Sequence, residues 1–400
     1  MQFDLVFEGG GAKGMVFVGA VEAFEQSGHV AGRLLGTSAG AITATLLAAG
    51  YTANEMREAL DEKADGRPVF VGFMGTPGPF RDEDIEASAT VEFLRAIDLP
   101  YVPEVIEKKV DTALVRLLSQ NEKYRHLFSF IELGGWFSAD RFLSWMRDKL
   151  NAGTWNGQPR AFGGMTLEQF HQATGRELGL VASDTTGQRM LVLNHRTAPD
   201  CPVVWAVRMS MSIPLVWQEV EWLPEWGRYT GRDIAGHLIV DGGMLSNFPI
   251  ELFVSDEPFV TAVMGPAVAG KVIGLLIDES LPVPEAPPPE KHPRFDFGRL
   301  KTIVRLKSLI DTMTNAHDKE VIEALRNLVV HLPAQGYGTT EFDMSPERRE
   351  ALVKAGHAVM TEYLAKRRAM EALESAALLP AGAGAIAARI AGRILGVDRP

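Results

Sequence analysis

A single cysteine in 400 residues, Cys201, leaves no partner for an internal disulfide and too little thiol for a cysteine-rich zinc site. That poverty of thiols suits a reducing cytoplasm. Basic charge is also short: 40 Lys and Arg stand against 51 Asp and Glu, and the net charge of −11 offers no clustered cationic face for nucleic acid and no general pull toward anionic lipid. No basic segment opens the chain, and Asp4 and Glu8 interrupt its first apolar stretch, so it does not read as a secretory signal. The one long uncharged run, residues 34–54, approaches the length of a membrane span. Its Gly and Thr content and its strand–turn–helix pattern argue for a folded unit instead.

What is present is an alternation of strand and helix patterns. Residues 3–7 read as a short buried strand, 14–27 as a helix, 33–36 as a second strand, and the following apolar segment as a helix stopping at Gly50. Residues 62–110 lose periodicity and read as an insertion or lid, and 111–150 are mostly helical, with a Ser/Asp capping signal before "RFLSWMRDKL". A helix is expected over 166–174, paired strands in "RELGLVASDT" and "QRMLVLNH", and further strands over 236–243, 271–277 and 328–332. Long helices are expected over 300–326 and 345–374, the latter opening at Ser345-Pro346. The stretch 281–294 is proline-rich and reads as an extended loop. This order predicts an α/β fold of three layers, helices on both faces of a largely parallel sheet. The expected organisation is a catalytic domain over 1–280, the proline-rich loop over 281–294, helices and a strand over 295–370 completing that domain, and an Ala/Gly-rich tail over 371–400.

Three motifs carry the chemistry. Gly36-Thr37-Ser38-Ala39-Gly40 fits G-x-S-x-G between a strand and a helix, where a sharp turn would project the Ser38 hydroxyl from the sheet. Read alone, the pentamer is equally a small-residue turn that packs tightly. Gly9-Gly10-Gly11-Ala12-Lys13-Gly14 would present backbone N–H groups to an oxyanion, each worth roughly 3–4 kcal/mol of barrier. As a nucleotide loop it fails, because Gly14 and Met15 stand where a P-loop needs a hydroxyl, and no acidic residue follows the second strand. Asp241, followed by Gly242 and Gly243, ends a buried strand on the same rim as Ser38 and could take its proton, although an aspartate turning a strand into a loop is common.

Together and in this order, "GGGAKG", "GTSAG" and "DGG" resemble the patatin-like phospholipase family. The likeness extends through "VRMSMSIPLVW" and "DGGMLSNFPIELF" over roughly residues 3–280, while residues 62–130 and the C-terminal tail depart from it. The resemblance implies a Ser38–Asp241 dyad, oxyanion donors at Gly10 and Gly11, a loop-holding role for Lys13, and hydrolysis of fatty-acyl esters such as phospholipids without metal or organic cofactor. A Ser–Asp–His order would need a histidine after Asp241, but of His292, His317, His331 and His357 the first lies in the proline-rich loop and the others on or beside regular elements, so none is expected to be the base. A partly desolvated Asp241 is required, since an ordinary carboxylate is too weak a base for serine. Acyl transfer to an alcohol on the same residues, or a silent lipid- or partner-binding module, are the alternatives. The aromatic "FVGFMGTPGPF", the tryptophans 205, 217, 222 and 226, and the tail could meet lipid or a membrane surface, or could pack in the core.

Overall fold

The computed structural model describes residues 1–64, 66–96, 121–266, 271–289 and 321–377. Eight strands form one sheet: β1 (Gln2–Phe7), β2 (Val30–Thr37), β3 (Leu178–Asp184), β4 (Arg189–Leu193), β5 (Val220–Glu221), β6 (Leu238–Asp241), β7 (Val272–Pro282) and β8 (Val329–Gln335). Their order is β5-β6-β3-β2-β1-β7-β8, with β4 paired to β3. Every pairing from β3 through β2, β1 and β7 to β8 is parallel, whereas β4, β5 and β6 join antiparallel.

Alternation along the strands separates two cores. Leu5, Phe7, Leu34, Leu180, Ala182, Ile273 and Leu275 bury into one, while their neighbours Val6, Leu35, Val181, Val272 and Leu276 bury into the other. The first is covered by helices α1 (Met15–Gln26), α2 (Ala39–Ala48) and α3 (Val203–Ser210), the second by α4 (Glu251–Val254) and α5 (Pro258–Met264), with α6 (Pro346–Ala377) packed along α1 on the first side. A sheet buried on both faces explains the near-continuous apolar strands and makes the fold the expected α/β/α sandwich.

At the end of the sheet away from the glycine loop, a buried ion pair pins β1 to β2. Asp4 accepts from the Arg33 backbone N–H and from Nε, each at 2.7 Å, and the guanidinium lies 4.4 Å over the Phe253 ring. Arg33→Met is expected to cost about 3–5 kcal/mol, because it strands a buried carboxylate. The readout is a lower melting temperature with kcat unchanged where the protein is still folded.

Several expectations shift. Residues 62–96 are not irregular throughout but hold short helices at Val69–Phe73, Asp82–Glu86 and Ala89–Ala96. The helix Asp140–Asn151 starts from Ala139 with no side-chain cap, so the capping signal at Ser138 is unused. Within 111–150 a strand, Gly135–Phe137, separates two helices. Strand β7 runs to Pro282, two residues into the proline-rich stretch. The helix expected over 300–326 lies outside the described residues up to 320, as do 97–120, 290–300 and the tail from 378. The uncharged run 34–54 is the end of β2 followed by α2, and among the described residues no helix is long and apolar enough to cross a membrane.

Candidate active site

Register brings Ser38 and Asp241 together. Strand β3 pairs through Leu178–Val181 with β2 and through Ala182–Asp184 with β6, while β4 occupies its other edge over Leu180–Asp184. Parallel β2 and antiparallel β6 therefore share one edge of β3 and meet end to end. Thr37 lies opposite Val181 and Asp241 opposite the next residue, Ala182. Both chain ends that leave this seam carry a motif residue.

Ser38 follows β2 and is the N-cap of α2, with φ 54° and ψ −118°, a left-handed conformation unusual for serine. The flanking glycines are needed by contact: a Cβ on Gly36 would lie 2.3 Å from Gly40 O, and one on Gly40 would lie 2.3 Å from Phe7 O. Helix α2 thus starts directly against the end of β1, with Ser38 at its positive end. The hydroxyl is nearly buried, with Ser38 6% exposed.

Asp241 is 4% exposed, and its Oδ1 accepts from Gly243 N–H at 2.8 Å. Oδ2 is buried without a hydrogen-bond partner. Burial pushes this carboxyl up to about 7, against the smaller lowering influences of the Ser38 hydroxyl and the Gly243 amide.

The glycine loop lies beside Ser38. A Cβ on Gly9 would sit 3.2 Å from Ser38 Cβ. Within the loop, Gly9 N–H donates to Asn247 O at 3.1 Å, Ala12 N–H to Thr339 O at 2.9 Å, and Lys13 N–H to Gly10 O at 3.2 Å. Among the described residues no protein acceptor is found for Gly10 or Gly11 N–H. Of the six loop positions, these two amides are therefore available to an oxyanion, while Gly9, Ala12 and Lys13 hold the loop in place. Lys13 is buried and its ammonium pairs with Glu279 on β7, and a Cβ on Gly14 would come 2.8 Å from Ala39 Cβ, so that glycine lets the loop reach the elbow. Gly11 has φ +56°, and a Cβ there would fall 2.2 Å from Thr339 O. Gly11→Ala is expected to lower kcat about a hundredfold by displacing a donor, with KM little changed; steady-state kinetics on a soluble ester check it.

Two residues that the motifs did not flag tie the loops together. Asn247 Nδ2 donates to Glu8 Oε1 at 3.0 Å and to Gly9 O at 2.9 Å, and Glu8 Oε2 accepts from Ile277 N–H at 2.5 Å. Asn247 stands six residues after Asp241, inside the quoted "DGGMLSNFP", so the signal was present without a partner to give it meaning.

Neither described candidate histidine bonds to the pair: His331 Nδ1 lies 2.9 Å from Asp278, and His357 Nε2 lies 3.0 Å from Gln26. His292 and His317 fall outside the described residues. One cluster, His171, Glu177 and His195, gathers potential metal-ligand atoms within 4.8 Å. Its imidazoles stack at 3.7 Å and 2°, so no ion can lie in both ring planes, and Arg196 takes both Glu177 oxygens.

The patatin-like phospholipase profile matches residues 5–254, which contain all three motifs. The chain belongs to the patatin-like phospholipase family. It is 28% identical over 363 residues to an uncharacterized protein, YqhO, of Bacillus subtilis (strain 168), covering 89% of this chain and 96% of that one. Solved structures with partial likeness include VipD from Legionella pneumophila, at 17% identity and a TM-score of 0.44, over 90% of this chain and 66% of that one. Another is the heterodimeric ExoU–SpcU complex from the type III secretion system of Pseudomonas aeruginosa, at 19% identity and a TM-score of 0.39, over 99% of this chain and 58% of that one. The chain thus spans about two thirds or less of these two structures.

As a patatin-like phospholipase the chain is a lipid hydrolase, and its pocket suits an apolar substrate. From Ser38, Gly11 and Ala12 the pocket runs between Met15, Ile42, Leu60, Phe70, Phe73, Met211 and Trp217, enclosing about 720 Å³ with its open mouth included. Phe70 and Phe73 come from the segment expected as a lid. Trp217, Trp222 and Trp226 are buried, and Trp205 packs on Trp226. Part of the wall, Glu341, Phe342, Met344 and Arg349, lies beyond the matched residues. Arg348 fastens that wall: it holds both Glu341 oxygens at 2.7 and 3.1 Å, donates to Gly336 O at 2.8 Å, and lies 4.0 Å over the Tyr337 ring.

Proposed function

We propose that this patatin-like hydrolase cleaves fatty-acyl esters of the phospholipase A or lysophospholipase type with a Ser38–Asp241 dyad. The observation that carries this reading is the meeting of the ends of β2 and β6, which brings Ser38 in its strained turn to a buried Asp241 whose carboxyl burial pushes up to about 7, with two unengaged glycine amides in the loop beside Ser38. Ser38 Oγ attacks the acyl carbonyl as Asp241 takes its proton. The negative charge that develops on the carbonyl oxygen is met by Gly10 and Gly11 N–H. Collapse breaks the ester C–O bond, and the leaving alkoxide receives the proton from Asp241. Water then attacks the acyl-serine, gives its proton to Asp241, and releases the fatty acid as the proton returns to Ser38.

A carboxyl near 7 supports this assignment because a base matched to the working pH transfers a proton with less penalty than an ordinary aspartate. The apolar pocket supports an acyl chain over a polar substrate. Product analysis of phospholipids, lysophospholipids and glycerides incubated with wild type beside Ser38→Ala tests the proposal. Free fatty acid formed only by the wild type is expected; equal release by both proteins contradicts it. An added acceptor alcohol reports transfer as an acyl ester in the same assay.

A further inference from the structure

Helix α3 ends in Ser210, followed by Met211 and Ser212, and this end touches the backbone of both residues of the proposed dyad. Ser38 N–H donates to Ser210 Oγ at 3.0 Å. Ser210 Oγ donates in turn to Val181 O at 2.6 Å, on the β3 residue opposite the end of β2. Two residues on, Ser212 O accepts from Asp241 N–H at 2.9 Å. Ser212 is itself held, since its hydroxyl donates to Arg208 O at 2.5 Å and receives the buried Arg208 guanidinium, whose Nη2 donates to Gln218 O at 2.7 Å. A stretch of three residues therefore fixes where the two strand ends leave the seam.

We propose that Ser210 is a positioning residue for the nucleophile, acting through the Ser38 amide; this rests on Ser38 and Asp241 being the reacting pair. A hydroxyl carries one proton, and here Val181 O takes it, so a lone pair of Oγ is turned toward Ser38 N–H. That contact does two things. It holds a serine in a left-handed conformation that persists only where the surroundings over-determine it. It also engages the Ser38 amide and so fixes the orientation of a residue that lines the pocket. Ser210 is fully buried and the pocket walls do not include it, so its removal changes orientation without changing what the acyl chain touches.

The test is Ser210→Ala, assayed for kcat, KM and the rate of inactivation by a fluorophosphonate. A misplacement of the nucleophile by a fraction of an ångström predicts that kcat and inactivation rate fall together, about tenfold to a hundredfold, with KM within threefold and the pH midpoint unmoved. Ser210→Cys, close in size but a poorer acceptor, is expected to fall between wild type and the Ala variant. A folded Ser210→Ala protein with kcat within twofold of wild type overturns the proposal, as does a fall confined to KM. Amide hydrogen exchange on the wild type gives a reading that needs no variant: Ser38 N–H should exchange more slowly than Gly10 and Gly11 N–H, and equal rates overturn the proposal. Ser38→Ala is run beside these. Hydrolysis surviving in it would sink the nucleophile assignment, whereas an inactive Ser38→Ala with an unaffected Ser210→Ala would sink only the positioning role.

Discussion

Ser38→Ala is expected to lower kcat for ester hydrolysis at least about a thousandfold, the scale on which serine hydrolases lose activity when the nucleophile is removed. The Gly10 and Gly11 amides and Asp241 remain in that variant, so a small residual rate of direct water attack is compatible with it. The fold should survive, because Ser38 Oγ accounts for none of the hydrogen bonds that fix the elbow: those run through its backbone, to Ser210 from the amide and from Ala41 and Ile42 to its carbonyl. A comparison with Ser38→Gly separates strain from chemistry. At φ 54° alanine keeps the unfavourable backbone conformation and glycine relieves it, so the glycine variant should be as inactive but more stable, by about 1 kcal/mol. Thermal melts and initial rates on the same preparations check both halves. A Ser38→Ala protein retaining a tenth of the wild-type rate would remove serine from the reaction.

Asp241→Asn should produce opposite changes in activity and stability. Asparagine cannot accept the serine proton, so kcat is expected to fall on the order of a thousandfold or more. Stability should rise above neutral pH, with the following sign. The carboxyl sits near 7 in the fold and at about 3.8 in the unfolded chain, so between those values the folded protein keeps a proton that the unfolded chain has lost. Its contribution is fully present below the unfolded value and is lost as pH rises through the folded one. Asparagine does not ionise, and its carbonyl can still accept from Gly243 N–H. The variant should therefore melt near the wild type at pH 4 and several degrees above it at pH 8, with a ceiling on the order of 4 kcal/mol from the size of the shift. If Asp241 is the base, the same group is expected to set the pH profile of the wild type: kcat/KM should climb with pH through a midpoint near 7 and level off above it, since the ionised form accepts the proton. Equal melting temperatures at pH 8 would mean that the carboxylate is not held against its solvation.

Legibility in the sequence followed the range over which each constraint acts. The glycine loop, the elbow at Ser38 and the Asp241 turn were readable because each is a local backbone demand with its own residue signature. Strands β1, β3 and β4 were equally readable from short apolar or alternating runs with turn residues at their ends. The meeting of β2 and β6 on one edge of β3 was not, since Val181 and Ala182 look alike in sequence and only register tells that one faces Thr37 and the next faces Asp241. Ser210, Glu8 and Asn247 were hidden for the same reason: a polar residue inside an apolar run reads as an exception until its partner, far away in sequence, is known. The pocket wall from Glu341 to Arg349 has no motif at all, because it is specified by shape and by the many bonds of one buried arginine, Arg348. The unused capping signal at Ser138 erred in the other direction, with an adequate local pattern overridden by the chain's path into the helix from Gly135–Phe137.

The central claim is that Ser38 is an activated nucleophile whose reactivity depends on ionised Asp241. Incubation with a fluorophosphonate across pH 5–9, followed by mass spectrometry of the digested protein, tests it most directly. The account predicts a single phosphonyl adduct, on the peptide containing Ser38, formed at a rate that rises through a midpoint near pH 7 and is abolished in Asp241→Asn. An unlabelled Ser38, or labelling that proceeds equally well without the Asp241 carboxylate, would contradict it.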